Sequence, residues 1–193
     1  MKKLLFIPML FACFIGMGQA SAGGGKHFIG EKYGGGIVFY VTEDGLHGLI
    51  AAKSDQSKGI EFGPDTDKPT TTEDGFGAGL KNTEIIMAKF LKRHQWFEDN
   101  APYAAKLCKQ YKVIETLGGI RTTYGDWYLP SKYELNLLYL QKDKVGGFEE
   151  EIYWSSTENE YDTAWGKFFY TDLGTESFSV KNSLYHVRAI RAF

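Results

Sequence analysis

Two hydrophobic periods alternate along this chain. Residues 37–41 and 48–52 are apolar, β-rich runs on either side of Thr42-Glu43-Asp44-Gly45-Leu46-His47. An Asp-Gly pair between two such runs predicts a hairpin. Residues 53–79 are polar, rich in Gly, Asp and Thr, and interrupted by Pro64 and Pro69, with no clear period. They read as a long surface loop, a place where binding is often located. A helical period follows. Ile85, Ile86 and Phe90, with Met87 beside them, share one face of a helix that Asn82 or Thr83 can cap and that runs to about Arg93. Asn100 can cap a second helix, with Pro102 in its first turn and an end near Tyr111.

The stretch 125–157 organises the rest. Trp127-Tyr128-Leu129 reads as a short aromatic strand, and Pro130 biases Leu129 toward extended backbone. Ser131 followed by Glu134 is a capping box that opens a third helix reaching about Gln141, with Leu135, Leu138 and Tyr139 on its inner face. Strands are expected at 152–155, 165–170, 176–180 and 186–193, with Thr171-Asp172-Leu173-Gly174 as a turn. The last strand should be paired near the chain start. Trp127 and Trp154 are expected in the core, since each buries a large apolar area. Strands, then helices, then strands make the class α+β, with a mainly antiparallel sheet, about three helices and long surface loops.

Composition adds an export signal. Lys2 and Lys3 precede a mostly apolar run over 4–17, and Ala20-Ser21-Ala22 fits a cleavage site, so residues 1–22 read as a signal peptide. A lipoprotein acceptor at Cys13 is the alternative; Phe11 fits that motif poorly. Residues 23–31 form a Gly-rich leader and 32–193 a single domain. No transmembrane anchor is expected. The chain is slightly acidic, with a formal net charge of −2, and losing Lys2 and Lys3 makes it more so. That argues against general nucleic-acid binding, which rests on phosphate neutralisation. Once Cys13 leaves, Cys108 has no intrachain partner. Its register with Ala101, Ala104 and Ala105 suggests a buried thiol, with an intermolecular bridge as the alternative.

Common catalytic constellations are missing. There is no phosphate loop and no Gly-x-Ser-x-Gly elbow, and His27, His47, His94 and His186 do not stand at zinc-ligand spacing. No catalysis and no cofactor are expected. Glu158, Asn159 and Asp162 are weak calcium candidates without EF-hand spacing, and such an acidic loop is more often a solvated face. Asp65 and Asp67 in the long loop are a second acidic group. The most suggestive surface is basic. Lys89, Lys92 and Arg93 share one helix face, and Lys106 and Lys109 follow on the next helix, with Lys112 another turn on. If those helices pack side by side, the merged patch suits a sulfated or carboxylated glycan; the plainer role is a pair of solvated faces. Trp96 and Phe97 are candidates for an aromatic sugar platform. Of Arg188 and Arg191, which differ in strand parity, one is expected to point inward against a carboxylate such as Glu134.

Several segments form an ordered set. They are Trp127-Tyr128-Leu129-Pro130-Ser131 with Glu134-Leu135, Tyr153-Trp154-Ser155-Ser156-Thr157-Glu158, Ala164-Trp165 and Val187-Arg188-Ala189-Ile190-Arg191. The set resembles a bacterial secreted domain family that forms the C-terminal part of the Legionella collagen-like adhesin. Residues 29–39, 47–52 and 77–83 look like the same family, so the resemblance runs from about residue 28 to the end. Such domains are similar to C-type-lectin-like and formylglycine-generating-enzyme folds. The lone Cys108 does not match the cysteine chemistry of the active enzymes, and Gly23-Gly24-Gly25 is too short for a collagen repeat. The resemblance implies a secreted or cell-surface adhesin-like module, with periplasmic residence as an alternative. Its partner would be a polysaccharide or a host or matrix glycan. A structural cell-envelope protein, self-associating or binding another protein, is the rival reading.

Overall fold

A computed structural model describes residues 25–63, 71–94, 101–170 and 174–193. Its elements in chain order are β1 (Lys32–Tyr33), β2 (Gly36–Val41), β3 (Gly48–Ala51), β4 (Ser57–Ile60), α1 (Ala78–His94), α2 (Ala104–Gln110), β5 (Val113–Leu117) and β6 (Ile120–Tyr124), followed by α3 (Lys132–Leu140), α4 (Lys142–Val145), β7 (Ile152–Glu158), β8 (Thr163–Phe168), β9 (Glu176–Val180), β10 (Tyr185–Val187) and β11 (Ile190–Ala192). The class is α+β. One sheet has the order β1-β2-β3-β11, a second the order β4-β10-β7-β8-β9, and β5-β6 stand apart as a two-stranded sheet. Pairing is antiparallel except between β10 and β7.

The expected β2–β3 hairpin is present. Asp44 organises its loop by accepting from the Thr42 hydroxyl at 2.6 Å and the Leu46 amide at 2.9 Å. Both faces of this sheet are covered, so all four residues of β3 are buried and the strand reads as an unbroken apolar run. Val38 and Ile50 face one core with Trp127, Trp154, Phe62 and Cys108. Phe39 and Leu49 face the other with Leu135, Leu138, Tyr153 and Phe169. Trp127 and Trp154 are fully buried as expected, and each indole N–H donates to a carbonyl, of Tyr124 and Ile60 respectively. Cys108 is buried, and burial pushes its thiol well above the usual range, which leaves it inert at neutral pH.

The third helix follows its capping box. Ser131 Oγ accepts from the Glu134 amide at 3.1 Å, and Glu134 returns a bond to the Ser131 amide at 2.9 Å. Glu134 does more than its sequence context indicates. Its carboxylate also accepts from the Gly77 and Gly79 amides at 2.9 and 3.2 Å, and from the Tyr128 hydroxyl. It therefore serves the N-terminus of α1 as well as that of α3. This corrects the expected start of α1: the helix begins at Ala78, ahead of Asn82 and Thr83. Those two are buried and bond elsewhere. Asn82 bridges both main-chain groups of Glu73, and Thr83 Oγ accepts from the Leu129 amide at 3.0 Å. Gly79 is obligatory, because a Cβ there would lie 2.3 Å from Glu134 Oε2.

Other expectations are also corrected. The 53–79 segment is not all loop: β4 pairs with β10 as an edge strand, and its Ser-Lys-Gly-Ile sequence lacks the alternation that would reveal it. Residues 64–70, with Asp65 and Asp67, lie outside the described residues. So do Asn100 and residues 171–173. The second helix begins later, at Ala104, with Tyr103 at its N-cap. The 127–129 segment forms a single bridge, Tyr128 with Ile190, in place of a strand. A single last strand was expected over 186–193; instead β10 belongs to one sheet and β11 to the other. The break at Arg188-Ala189 is held by the Ala189 carbonyl accepting from the Ala52 amide and by Gln56 Oε1 accepting from the Ala189 amide. The chain end does lie beside its start. Phe193 exchanges main-chain bonds with Gly48, and its ring packs on His27 and Tyr33.

Candidate ligand-binding cleft

The break between β10 and β11 places Arg188 inside the protein with its side chain fully buried. The expectation that an arginine of this segment points inward holds, but its partner is Asp55 and not Glu134. Arg188 Nε donates to Asp55 Oδ1 at 2.6 Å. The second carboxylate oxygen of Asp55 accepts from the Tyr153 hydroxyl at 2.9 Å and contacts His186 Nδ1 at 3.1 Å. Sequence reading missed Asp55, which sits in a polar stretch with nothing to mark it as internal. Arg191, on the other side of the break, makes a two-pronged pair with Asp126 at the surface, at 2.6 and 2.9 Å.

The rest of the Arg188 guanidinium holds a loop. Nη1 donates to the carbonyls of Ala52 and Gly146, and Nη2 to the carbonyl of Gly147. Gly146 and Gly147 both have positive φ, 72° and 69°, a pair of turns that only glycine adopts without strain. The double turn returns Phe148 over Arg188, with the guanidinium carbon 4.1 Å from the ring centroid. The Glu149 amide then donates to Tyr153 Oη at 2.9 Å, and the Glu149 carboxylate pairs with Lys58 at 2.9 Å. The Lys58 ammonium holds the Glu149 carboxyl below the usual range. Burial pushes the Tyr153 hydroxyl far above its usual range, so it stays a neutral donor.

Between this loop, α4 and Phe169 lies a cleft of about 370 Å³, within the range of small-ligand sites. The half-buried Phe148 supplies its aromatic surface, with the buried Phe169 packed behind it, their ring centroids 4.7 Å apart. Lys142, Asp143, Glu149 and Glu150 supply its polar rim. Asp143 and Glu150 are exposed, and Lys142 Nζ lies 5.1 Å from the Tyr139 ring centroid. Chemically, carboxylates in such a rim accept from ligand hydroxyls while an aromatic ring covers an apolar ligand face. Among the described residues, the lining includes no Ser, Thr or Cys nucleophile.

The basic candidates are placed only in part. Helices α1 and α2 do pack together: Phe90 stacks on Tyr103 with centroids 3.8 Å apart, and burial pushes the Tyr103 hydroxyl up to about 12. Lys109 of α2 pairs with Glu84 of α1 at 3.5 Å. Lys106 donates to the Ala101 carbonyl and lies over Tyr103. Lys89 is half-buried on α1. The side chains of Lys92 and Arg93, and Trp96 with Phe97, lie outside the described residues. Of the calcium candidates, Glu158 is committed to the buried Lys181, whose Nζ donates to Glu158 Oε1 and the Tyr161 carbonyl at 2.7 Å each. Asn159 bonds Thr163, and the Asp162 carbonyl accepts from the Lys181 amide.

No described helix is long and apolar enough to cross a membrane. No family model matches the chain, and no curated protein matches it. Among solved structures, the chain is similar to the crystal structure of a fimbrial protein from Bacteroides ovatus, with a TM-score of 0.49 and 16% identity. The alignment covers 80% of this chain and 43% of that one, so this chain spans less than half the length of that protein.

Proposed function

We propose that the chain is an exported, surface-exposed binding module without catalytic activity, built on a C-type-lectin-like arrangement, and that it recognises a neutral carbohydrate in the cleft beside α4. The observation that carries this reading is the pairing, in one open cleft, of the half-buried Phe148 ring, backed by the buried Phe169, with the carboxylates of Asp143 and Glu150. An aromatic face matches the apolar face of a pyranose, and paired carboxylates accept from neighbouring hydroxyls. Three carboxylates against Lys142 disfavour a sulfated ligand in this cleft. The export pattern of residues 1–22 and the ordered motifs shared with the adhesin-type family support the same reading.

Binding is expected to be nearly independent of salt, and D143A/E150A should weaken it about tenfold or more, about 1.4 kcal/mol. Both residues are exposed, so stability should change by no more than about 0.5 kcal/mol. Calorimetry with neutral oligosaccharides selected on a glycan array is the test. An array without neutral binders, or a double variant that binds as well as the parent, removes the cleft from consideration. Salt-sensitive retention on an anionic polysaccharide would move the site to the α1–α2 face. Recognition should need no calcium, because Lys181 occupies the Glu158 carboxylate, and adding calcium or chelator should leave the melting temperature unchanged.

A further inference from the structure

We propose that this chain pairs with a second copy of itself through the outer edge of β6, forming a two-fold symmetric four-stranded sheet. The β5–β6 hairpin belongs to neither larger sheet, and a lone two-stranded hairpin is marginally stable in water. Its tip carries two large apolar residues in register, Leu117 and Ile120, exposed by 73% and 72%. The turn between them is Gly118-Gly119, with φ of 55° and 83°, the positive values that a two-residue hairpin turn needs. Pairing is regular along all five residue pairs. The edge contains no proline or bulge, and Arg121 is its one charged residue.

Alternation of the ladder identifies the free groups. Leu117–Ile120, Glu115–Thr122 and Val113–Tyr124 are the hydrogen-bonded pairs that follow a two-residue turn, so the N–H and C=O of Arg121 and Thr123 point outward. Antiparallel pairing of β6 with its copy about Thr122 sets Arg121 opposite Thr123 of the second copy, and the reverse. That satisfies the outward donors and acceptors of both residues in each copy with ladder geometry. It also sets Thr122 opposite Thr122 and Ile120 opposite Tyr124, and no like charges face each other. The β5 edge behaves differently. The same operation about Glu115 would place two carboxylates opposite each other, a destabilising arrangement. Charge therefore favours β6 over β5 in the register that uses both outward-facing residues of the strand, and a β6 edge is self-complementary in the way a two-fold interface demands.

The test uses the whole exported chain in light scattering and sedimentation across a concentration series. The parent should show twice the monomer mass at high concentration. T122K keeps the hairpin, because the introduced ammonium would face Glu115 within the chain, yet it opposes its own copy across the axis; the dissociation constant of the dimer should rise about tenfold or more. T122C should form a disulfide-linked dimer on mild oxidation, because a non-hydrogen-bonded pair brings the two Cα atoms to about 4.5 Å. E115C should not, and buried Cys108 does not compete. A monomeric parent at every concentration overturns the proposal. So does a dimer that T122K leaves intact, or cross-linking by E115C in preference to T122C. Glycan binding by the cleft is read separately, so either idea can fail alone.

Discussion

R188A should be the most damaging single substitution in this protein, lowering stability by about 3–5 kcal/mol or preventing folding. The buried Asp55–Arg188 pair contributes little net stability, since desolvating two charges nearly offsets their attraction. Removing one partner is different, because the Asp55 carboxylate, 5% exposed, is then left as a buried charge without its counterion. Two loop carbonyls and that of Ala52 also lose their donor. R188K should be intermediate, because an ammonium cannot reach Asp55 and the three carbonyls together. Urea denaturation of R188A, D55A and the double variant gives the check. The double variant should be markedly less destabilised than the sum of the singles, since it removes the unpaired charge. Strict additivity would mean that the pair is not coupled. In R188K, a folded variant, cleft binding should weaken as well, because the 146–149 loop loses part of its anchor.

E134A should follow, at roughly 4 kcal/mol, because it strips acceptors from the buried amides of Gly79 and Ser131 and from the part-buried amide of Gly77 at once. E134Q should cost only about 1–2 kcal/mol. Its oxygen can keep the Ser131 and Gly79 amides while its amide group donates to Tyr128, and the Gly77 bond alone is lost. Burial raises the Glu134 carboxyl above its ordinary value of 4.5, outweighing the amide bonds that lower it. The sign follows: the folded chain holds this proton more tightly than the unfolded chain. The group's stabilisation is complete below about 4.5 and is lost as pH rises through the higher folded value. The gap between parent and E134Q should therefore widen on acidification. Unfolding midpoints that show the gap narrowing, or E134Q as damaging as E134A, would contradict this account of the site.

The parts legible in the sequence were those written in local signals. The Ser131–Glu134 box, the Asp44-Gly45 hairpin and the aromatic run at 153–154 each have a cause within a few residues, and each took its expected form. What stayed hidden depends on distant partners. Asn82 and Thr83 carry a cap signature, yet packing against Glu73 and Leu129 outcompetes it, and a carboxylate from α3 serves the helix start instead. Strand β4 has no periodicity of its own and exists because β10 lies beside it. The β5–β6 hairpin has its Gly-Gly turn in plain view, but exposed strands break the rule that apolar residues point inward. Asp55 and the cleft were unreadable for the same reason: Asp55 meets Arg188 across 133 positions of chain, and the cleft depends on that meeting.

The break at Arg188-Ala189 also bears on the order of assembly. Six residues, 188–193, supply the central arginine, the β11 edge and the Phe193 contacts with Gly48 and the N-terminal rings, while the three residues just before them close the other sheet. During synthesis this segment emerges after everything it joins. Until then β3 and β7 have open sides, Asp55 has no counterion, and neither sheet is complete. Native pairing is therefore a late event that waits on residues 188–193, and its long sequence separations make it a slow one. A nascent chain stalled short of Arg188 would hold the parts of both cores without the segment that joins them, and would be an easy target for proteolysis.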